Sequence, residues 1–195
     1  MISLPNVQII EYNNKETELY CVLGCLRNER GLQIRDEMLK WIQLKYHTWI
    51  VYQDYPGSLY EYPALKFAQE ISLSSKKPVL YLHTKGAFND NPSQYIVRAL
   101  WWQTFFNLYT ECIKYLKEYD VVCPFTGATK ITWYNGFIAT PTGLSNVNIQ
   151  PETDRYIFES LYLHREIKPT KIHGIISNTA NTANEVSNIV CALMK

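Results

Sequence analysis

The chain has almost no excess of charge of either sign. Its 19 Lys and Arg residues nearly balance 18 Asp and Glu residues, which leaves a formal net charge of +1 at pH 7. A protein that binds nucleic acid in general normally carries a basic patch or stripe. Here Lys and Arg are scattered along the sequence, with no cluster of them. The composition therefore predicts no nucleic-acid partner.

Paired cysteines and long apolar runs are also missing. The five cysteines form no Cys-x-x-Cys pair, and an odd count without that spacing argues against both a disulfide framework and a zinc site. No apolar stretch approaches the roughly 20 residues that span a bilayer. We see no secretory leader and no Asn-x-Ser/Thr acceptor site. We therefore expect no membrane span and a cytoplasmic location.

Apolar and aromatic residues are, by contrast, abundant. Hydrophobic residues make up 47% of the 195 residues and aromatic residues 14%, a composition that excludes a disordered chain. This length suits one domain with a substantial core. We predict that residues 1–195 form a single domain, either as a whole protein or as a piece of a longer polypeptide.

The first half of the chain alternates between strand and helix patterns. Apolar and β-branched runs predict strands at 20–26, 48–52 and 79–82. Helical periodicity predicts helices at 32–44 and 62–73. An order of β-α-β-α-β requires parallel strands joined by right-handed crossovers. The prediction is therefore an α/β fold with a mostly parallel central sheet flanked by helices.

The rest of the chain has less regular patterns of apolar residues. The first twenty residues predict only a polar lead-in. The elements predicted after residue 83 are a long helix at 94–119, strands at 120–124, 131–134 and 137–140, a helix that begins at Pro151 and runs through Leu163, and a terminal helix at 182–194.

The segment 78–86 is the most informative part of the sequence. A buried strand pattern ends abruptly at His83, Lys85 and Gly86. In open α/β folds, ligands bind at the carboxyl ends of the strands. A lysine beside a glycine is suited to a phosphate group, because the backbone can approach closely and the ammonium supplies charge. A strand that ends in a solvated loop with a surface lysine fits the same residues equally well.

Five motifs follow one another between residues 79 and 165. They are Tyr81-Leu-His-Thr-Lys-Gly86, Trp101-Trp102, Asp120-Val-Val, Thr132-Trp-Tyr-Asn-Gly-Phe137 and Arg155-Tyr-Ile-Phe-Glu159. In these motifs the chain resembles a group of bacterial and viral glycosyltransferase-like proteins with a Tyr-x-His-Thr-Lys-Gly signature. Its first half is more loosely similar to GT-A sugar-nucleotide transferases. The resemblance covers somewhat less than half of the chain.

The resemblance implies a GT-A-like fold and a glycosyltransferase activity. Such an enzyme moves a hexose-type sugar from a nucleoside diphosphate sugar, most often one linked to UDP, to a glycan or lipid-linked acceptor. The main alternative is a non-catalytic nucleotide- or glycan-binding module that retains the fold. Neither a P-loop nor a dinucleotide-binding fingerprint occurs in the sequence, so those classes lack their main signal.

The sequence departs from the GT-A pattern at the metal site. Most GT-A enzymes carry an Asp-x-Asp pair after the strand that here ends in His83, Thr84 and Lys85, and that pair holds a divalent metal through oxygen ligands. A histidine and a lysine cannot rebuild such an oxygen cage. They can instead stabilise negative charge on a departing nucleoside diphosphate. We expect no metal site and no required cofactor, or only a weak dependence on Mn²⁺ or Mg²⁺.

The resemblance also suggests which residues bind the donor. Lys85 is predicted to contact the diphosphate. His83 is predicted to donate to a phosphate oxygen or to orient the loop, and a structural histidine is an equal alternative. Asp54 is predicted to recognise the base or ribose, although an Asp before Tyr-Pro-Gly also makes turns. Arg27 and Asn28 are candidates on the neighbouring loop, unless Asn-Glu-Arg simply begins a helix.

Two further roles concern the sugar and the acceptor. Asn135, with Trp133 and Tyr134, is a candidate for the floor of a sugar site, and a tight turn between two strands is the competing explanation. An inverting transferase needs a general base, usually Asp or Glu. Glu159 ranks first because the resemblance places it on the acceptor side, and an i, i+4 pair with Arg155 is its alternative. The other candidates for the base are Asp90, Glu152 and Asp154.

Overall fold

Seven strands of the computed structural model form one sheet, in the order β1-β3-β2-β4-β6-β5-β7. The structure describes residues 7–12, 17–54, 60–87, 92–152, 154 and 156–193. The strands are β1 (Val7–Tyr12), β2 (Tyr20–Leu26), β3 (His47–Gln53), β4 (Val79–His83), β5 (Val121–Phe125), β6 (Phe137–Ala139) and β7 (Ile172–Ser177).

Helices pack on both faces of this sheet. They are α1 (Glu29–Ile42), α2 (Tyr62–Ser75), α3 (Pro92–Trp102), α4 (Tyr109–Tyr115), α5 (Pro141–Ser145), α6 (Tyr156–Glu159), α7 (Leu161–His164) and α8 (Ala183–Leu193). A π-helical segment at Gln103–Asn107 joins α3 to α4, and a 3₁₀ turn at Trp133–Asn135 precedes β6. The predicted single-domain α/β architecture is confirmed at this level.

The β-α-β-α-β unit is present as predicted. Strand β2 pairs in parallel with β3 on one side and with β4 on the other, and α1 and α2 are the two connections. Strand β2 is buried on both faces, because Cys21 and Leu23 pack toward α1 while Val22 packs toward α2. Burial on both faces explains why these strands read as continuous apolar runs.

The sheet as a whole is mixed, which refines the prediction of a mostly parallel one. Five strands run in one direction, whereas β1 is antiparallel to β3, and β6 is antiparallel to both β4 and β5. Strand β7 pairs in parallel with β5 at the far edge. The antiparallel β6 places its amino-terminal end beside the carboxyl ends of β4 and β5. That arrangement matters for the site described below.

The two largest hydrophobic clusters lie on the two faces of the sheet. One packs α1, α3 and α4 against the sheet around the buried Met38, Trp101 and Phe105. The other packs α2 and the segment from α5 to α7 around Leu65 and Tyr162. All five cysteines are free thiols, and four of them are buried. Burial raises the pKa of Cys25 to about 12.

The structure differs from the predicted elements in five places. Strands β1 and β7 were not expected, and they lie at the two edges of the sheet. The long helix predicted at 94–119 is divided by its π-helical segment and ends at Tyr115. The strand predicted at 131–134 is a turn, because Lys130 and Tyr134 have positive φ. The helix predicted from Pro151 consists of the short helices α6 and α7.

None of the described helices is both long enough and apolar enough to cross a membrane.

Candidate functional site

The predicted donor-binding residues gather at one edge of the sheet. Parallel strands β2, β3 and β4 all end there, so Arg27, Asp54 and His83 lie at or just beyond three neighbouring strand ends. Because β6 runs the opposite way, the 3₁₀ turn Trp133–Asn135 that precedes it reaches the same edge. Segments from four separate parts of the chain thus meet at this edge.

The loop after β4 is held by side chains from two helices. Three successive backbone carbonyls, those of residues 85 to 87, each accept a hydrogen bond from a side chain. Arg98 Nη1 donates to the carbonyl of Lys85 at 2.8 Å, Arg30 Nε to that of Gly86 at 2.9 Å, and Asn28 Nδ2 to that of Ala87 at 2.9 Å. The loop backbone is therefore fixed from both sides.

Gly86 is required by this arrangement. Its φ is +93°, which favours glycine, and a Cβ atom there would lie 2.9 Å from Gln94 Cβ and 3.2 Å from Arg98 Nη1. The loop thus packs directly against α3. In the sequence, the signal was the Lys-Gly pair. In the structure, the close approach of the loop to α3 explains why the second residue of that pair is glycine.

Lys85 reaches across the edge toward the 3₁₀ turn. Its ammonium nitrogen lies 5.6 Å from the centroid of the Tyr134 ring, within the range of a cation–π contact. The side chain is partly exposed. An ammonium held here faces the same space as the ends of β4 and β6, which is where the resemblance predicts a diphosphate.

Four polar residues meet beside Lys85, and we call Glu61, Tyr81, His83 and Asn135 the edge cluster. Tyr81 Oη donates to Glu61 Oε2 at 3.2 Å, and Asn135 Nδ2 donates to the same oxygen. His83 Nδ1 lies 3.4 Å from that oxygen. The side chains of His83 and Glu61 are 13% and 21% exposed. A mostly buried carboxylate therefore lies at the centre of the site.

Burial and the nearby carboxylate act on Tyr81 in the same direction. Its side chain is fully buried. Burial first, and then the charge of Glu61 and the hydrogen bond to it, raise the pKa of the Tyr81 hydroxyl well above its ordinary value. The hydroxyl therefore keeps its proton and remains a donor to Glu61.

Backbone strain is concentrated in the turn that carries Asn135. Tyr134 and Asn135 have φ values of 66° and 53°, a region that bulky residues rarely adopt. Asn135 is fully buried, and its Oδ1 has no hydrogen-bond partner within the described ranges. Such strain tends to persist at functional sites where the surroundings enforce it. The competing explanation, a tight turn between two strands, is wrong, because β5 already ends at Phe125 and residues 131–134 are not a strand.

The sequence reasoning missed Glu61. This residue occupies the N-cap position of α2, but its side chain makes no capping hydrogen bond. A Glu at the start of a helix is ordinarily explained by its favourable interaction with the helix dipole. Its partners Tyr81 and Asn135 are 20 and 74 residues away, so nothing local in the sequence signals the contact. Only the fold brings the carboxylate to His83.

The remaining donor candidates are engaged with the protein. Asn28 caps α1, since its Oδ1 accepts from the Gly31 amide at 2.7 Å, while its Nδ2 holds the loop. The alternative that Asn-Glu-Arg begins a helix is thus what the structure shows. Arg27 lies 3.5 Å from Asp54, with both side chains more than a third exposed. Nucleotide contacts by these residues stay predictions.

Two of the candidates for the general base contact other protein groups, and the side chains of the other two lie outside the described residues. Glu152 is paired with Arg165 at 2.5 Å, and Asp154 accepts from the Tyr156 amide at the start of α6. Glu159 is the last residue of α6. Its side chain, like all of Asp90 and Arg155, lies outside the described residues.

The metal-binding pattern of the resembling family does not fit the residues at this edge. The position of the Asp-x-Asp pair is filled by an imidazole and an ammonium, which offer no oxygen ligands. In the described part of the chain, no three His, Cys, Asp or Glu side chains come together as a metal-binding group.

A cavity of about 220 Å³ lies between α1 and α3, next to the loop after β4. Trp41 and Trp102 line it together with Tyr95, Glu37 and Arg98. Arg98 links this cavity to the edge, because the same guanidinium donates to the carbonyl of Lys85.

No protein-family model, no curated protein and no solved structure matches the chain.

Proposed function

We propose that the chain is a GT-A-like glycosyltransferase that moves a hexose-type sugar from a nucleoside diphosphate sugar to a glycan or lipid-linked acceptor. One observation carries the proposal. His83 and Lys85 stand together at the carboxyl edge of a parallel β-α-β-α-β unit, on a loop whose backbone three side chains hold in place. The motif resemblance supplies the reaction class, and the geometry is compatible with it.

The proposed step needs a group that stabilises the leaving diphosphate. The bond between the sugar C1 and the diphosphate oxygen breaks, and its electron pair stays on that oxygen. The acceptor hydroxyl forms the new bond to C1 and gives its proton to a carboxylate base, for which Glu159 remains the predicted residue. Lys85 and His83 would stabilise the charge that develops on the diphosphate. Fixed donors are effective there because they need no reorganisation during the step.

The spacing of the strand ends suits a nucleoside diphosphate. Asp54 follows β3, which is two strands away from β4 in the sheet, and neighbouring strands are about 4.8 Å apart. The phosphate-binding loop and Asp54 are thus separated by roughly 10 Å across the edge. A donor with its diphosphate at Lys85 and its uridine near Asp54 would span that distance.

The proposal is tested by donor binding and turnover in the full chain. We expect UDP to bind to the wild type, and Lys85→Ala to weaken its binding at least tenfold and to abolish transfer or donor hydrolysis. Lys117→Ala is the control, because Lys117 is an exposed lysine just before the amino-terminal end of β5, whereas the site lies at the carboxyl ends of the parallel strands. Equal UDP affinity in wild type and Lys85→Ala would refute the assigned role of Lys85.

The binding-module alternative gives a different result in the same assay. It predicts UDP or glycan binding with no turnover on any donor, in wild type and variants alike. A metal-dependent enzyme would instead lose activity in excess EDTA and recover it with Mn²⁺, which would count against the proposed role of His83 and Lys85.

A further inference from the structure

The edge cluster contains a carboxylate that no motif of the sequence pointed to. Glu61 Oε2 lies 3.4 Å from His83 Nδ1, and both side chains are mostly buried. An opposite charge at this distance favours the protonated imidazole. Because solvent screens buried pairs much less than exposed ones, the attraction is larger than for a surface pair.

Two donors keep Glu61 in the charged form. The Tyr81 hydroxyl and the Asn135 amide both donate to Oε2, and hydrogen bonds to an ionised carboxylate favour that form. Tyr81 cannot compete for the negative charge, since its own pKa is raised by burial and by Glu61. The carboxylate oxygen that accepts both hydrogen bonds is the one that lies beside His83.

Two aromatic rings also lie near His83 in the described part of the chain. Trp101 from α3 presents its ring at 5.3 Å between centroids, and Tyr81 from the same strand lies at 6.3 Å. Gly24 of β2, which pairs with His83, has no side chain. Lys85 lies two residues further along the chain, and its ammonium is 5.6 Å from the centroid of the Tyr134 ring. Glu61 places a carboxylate at contact distance from the imidazole.

We propose that Glu61 is a positioning residue that keeps His83 protonated and turns its Nδ1 inward. The opposite ring nitrogen, Nε2, then donates toward the space that Lys85 also faces. The edge would carry two positive groups, an imidazolium and an ammonium, and the matching ligand is a diphosphate. This role of the imidazolium rests on the proposed function, whereas the protonation of His83 does not.

The protonation is measured by an NMR pH titration of the histidine ring signals. We expect the pKa of His83 to lie above its ordinary value of about 6.5 and to fall by about one pH unit or more in Glu61→Gln. His83→Gln assigns the signal among the four histidines. His173 is the internal control, because it stacks on Tyr115 with centroids 3.8 Å apart and does not contact the edge cluster.

A His83 pKa at or below about 6.5 in the wild type would overturn the proposal without any variant. An unchanged His83 pKa in folded Glu61→Gln would overturn it as well. Glu111→Gln is the matched control, because it removes an exposed carboxylate elsewhere on the surface and should leave the His83 titration unchanged.

The link to phosphate is measured by calorimetric titration with UDP between pH 7 and 9. We expect the wild-type affinity to fall as pH rises through the pKa of His83. In Glu61→Gln this fall should occur at lower pH, so that UDP binds roughly three- to tenfold more weakly near pH 7.5. Identical pH profiles in the two proteins would refute the phosphate role. Absence of UDP binding in the wild type would refute the proposed function, and the NMR titration would still decide the Glu61–His83 pair.

Discussion

Gly136 shows how strongly a single position can be constrained. A Cβ atom at Gly136 would lie 2.2 Å from Trp101 Nε1 and 2.5 Å from Trp101 Cε2. Trp101 is fully buried, so the ring cannot move into solvent. The two residues belong to different sequence motifs, and only the fold shows that position 136 must be glycine because the Trp101 ring lies against it.

We expect Gly136→Ala to lower the free energy of unfolding by about 1–3 kcal/mol or more, as overpacking in a core does. Denaturant unfolding measures the change. Trp101→Phe provides the control, because a smaller ring leaves room for the new methyl group. Gly136→Ala should cost less in the Trp101→Phe background than in the wild type. Equal costs in the two backgrounds would show that the contact is not the cause.

His173, which lies away from the site, should make the stability of the protein depend on pH. Burial lowers the pKa of His173, and the charge of Glu118 opposes that effect only partly. The imidazole packs between Tyr115 and Tyr119. A histidine with a lowered pKa in the folded state binds fewer protons there than in the unfolded state, so acid favours unfolding.

The contribution of neutral His173 should be fully present above about pH 6.5 and should be lost as the pH falls through its lowered folded value. We expect His173→Phe, which keeps the stacking, to flatten the decline in stability between about pH 6.5 and 5. Thermal melting across this range is the measurement. A wild-type-like decline in the variant would mean that other groups dominate.

At the scale of elements, α1 and the loop after β4 depend on one side chain. Asn28 caps α1 through its oxygen and holds the Ala87 carbonyl through its nitrogen. The sequence offered a nucleotide contact or a helix start for this residue. The structure shows the helix start, and adds a contact 59 residues away that local patterns cannot reveal.

We expect Asn28→Ala to destabilise the protein by about 2 kcal/mol, with about half from the lost cap and half from the lost hydrogen bond to the loop. Asn28→Asp keeps the capping oxygen and removes the donor, so it should cost about half as much. Chemical denaturation of both variants measures this. A full-size loss in Asn28→Asp would mean that the cap contributes little.

The bounds of a strand or helix could be predicted where its run of apolar residues was uninterrupted. Strand β2 was predicted at its observed bounds, because residues buried on both faces leave an uninterrupted apolar run. Strand β1 was missed because none of its six residues is buried and it is an edge strand that pairs with β3. The division of the helix before β5 was missed because the π-helical segment shifts the periodicity without any Gly or Pro to mark it.

At the scale of the whole molecule, the sheet should unfold unevenly. Strand β4 pairs with β2 and β6 and is covered on both faces, whereas β1 is an edge strand with mostly exposed or half-buried residues. We expect amides of β4 to exchange only through global unfolding and those of β1 to exchange orders of magnitude faster. Hydrogen exchange read by mass spectrometry measures both. Protection of β1 equal to that of β4 would contradict this picture.

The sequence by itself determined the α/β class, the β-α-β-α-β unit and the presence of His83, Lys85 and Gly86 at the end of a buried strand. These features depend on periodicity and on turn residues, which are local properties of a chain. The tertiary structure alone decided the mixed order of the sheet and the approach of Glu61 and Asn135 to His83. Those depend on which distant segments share an edge, because charge and hydrogen bonding act through space and not along the chain.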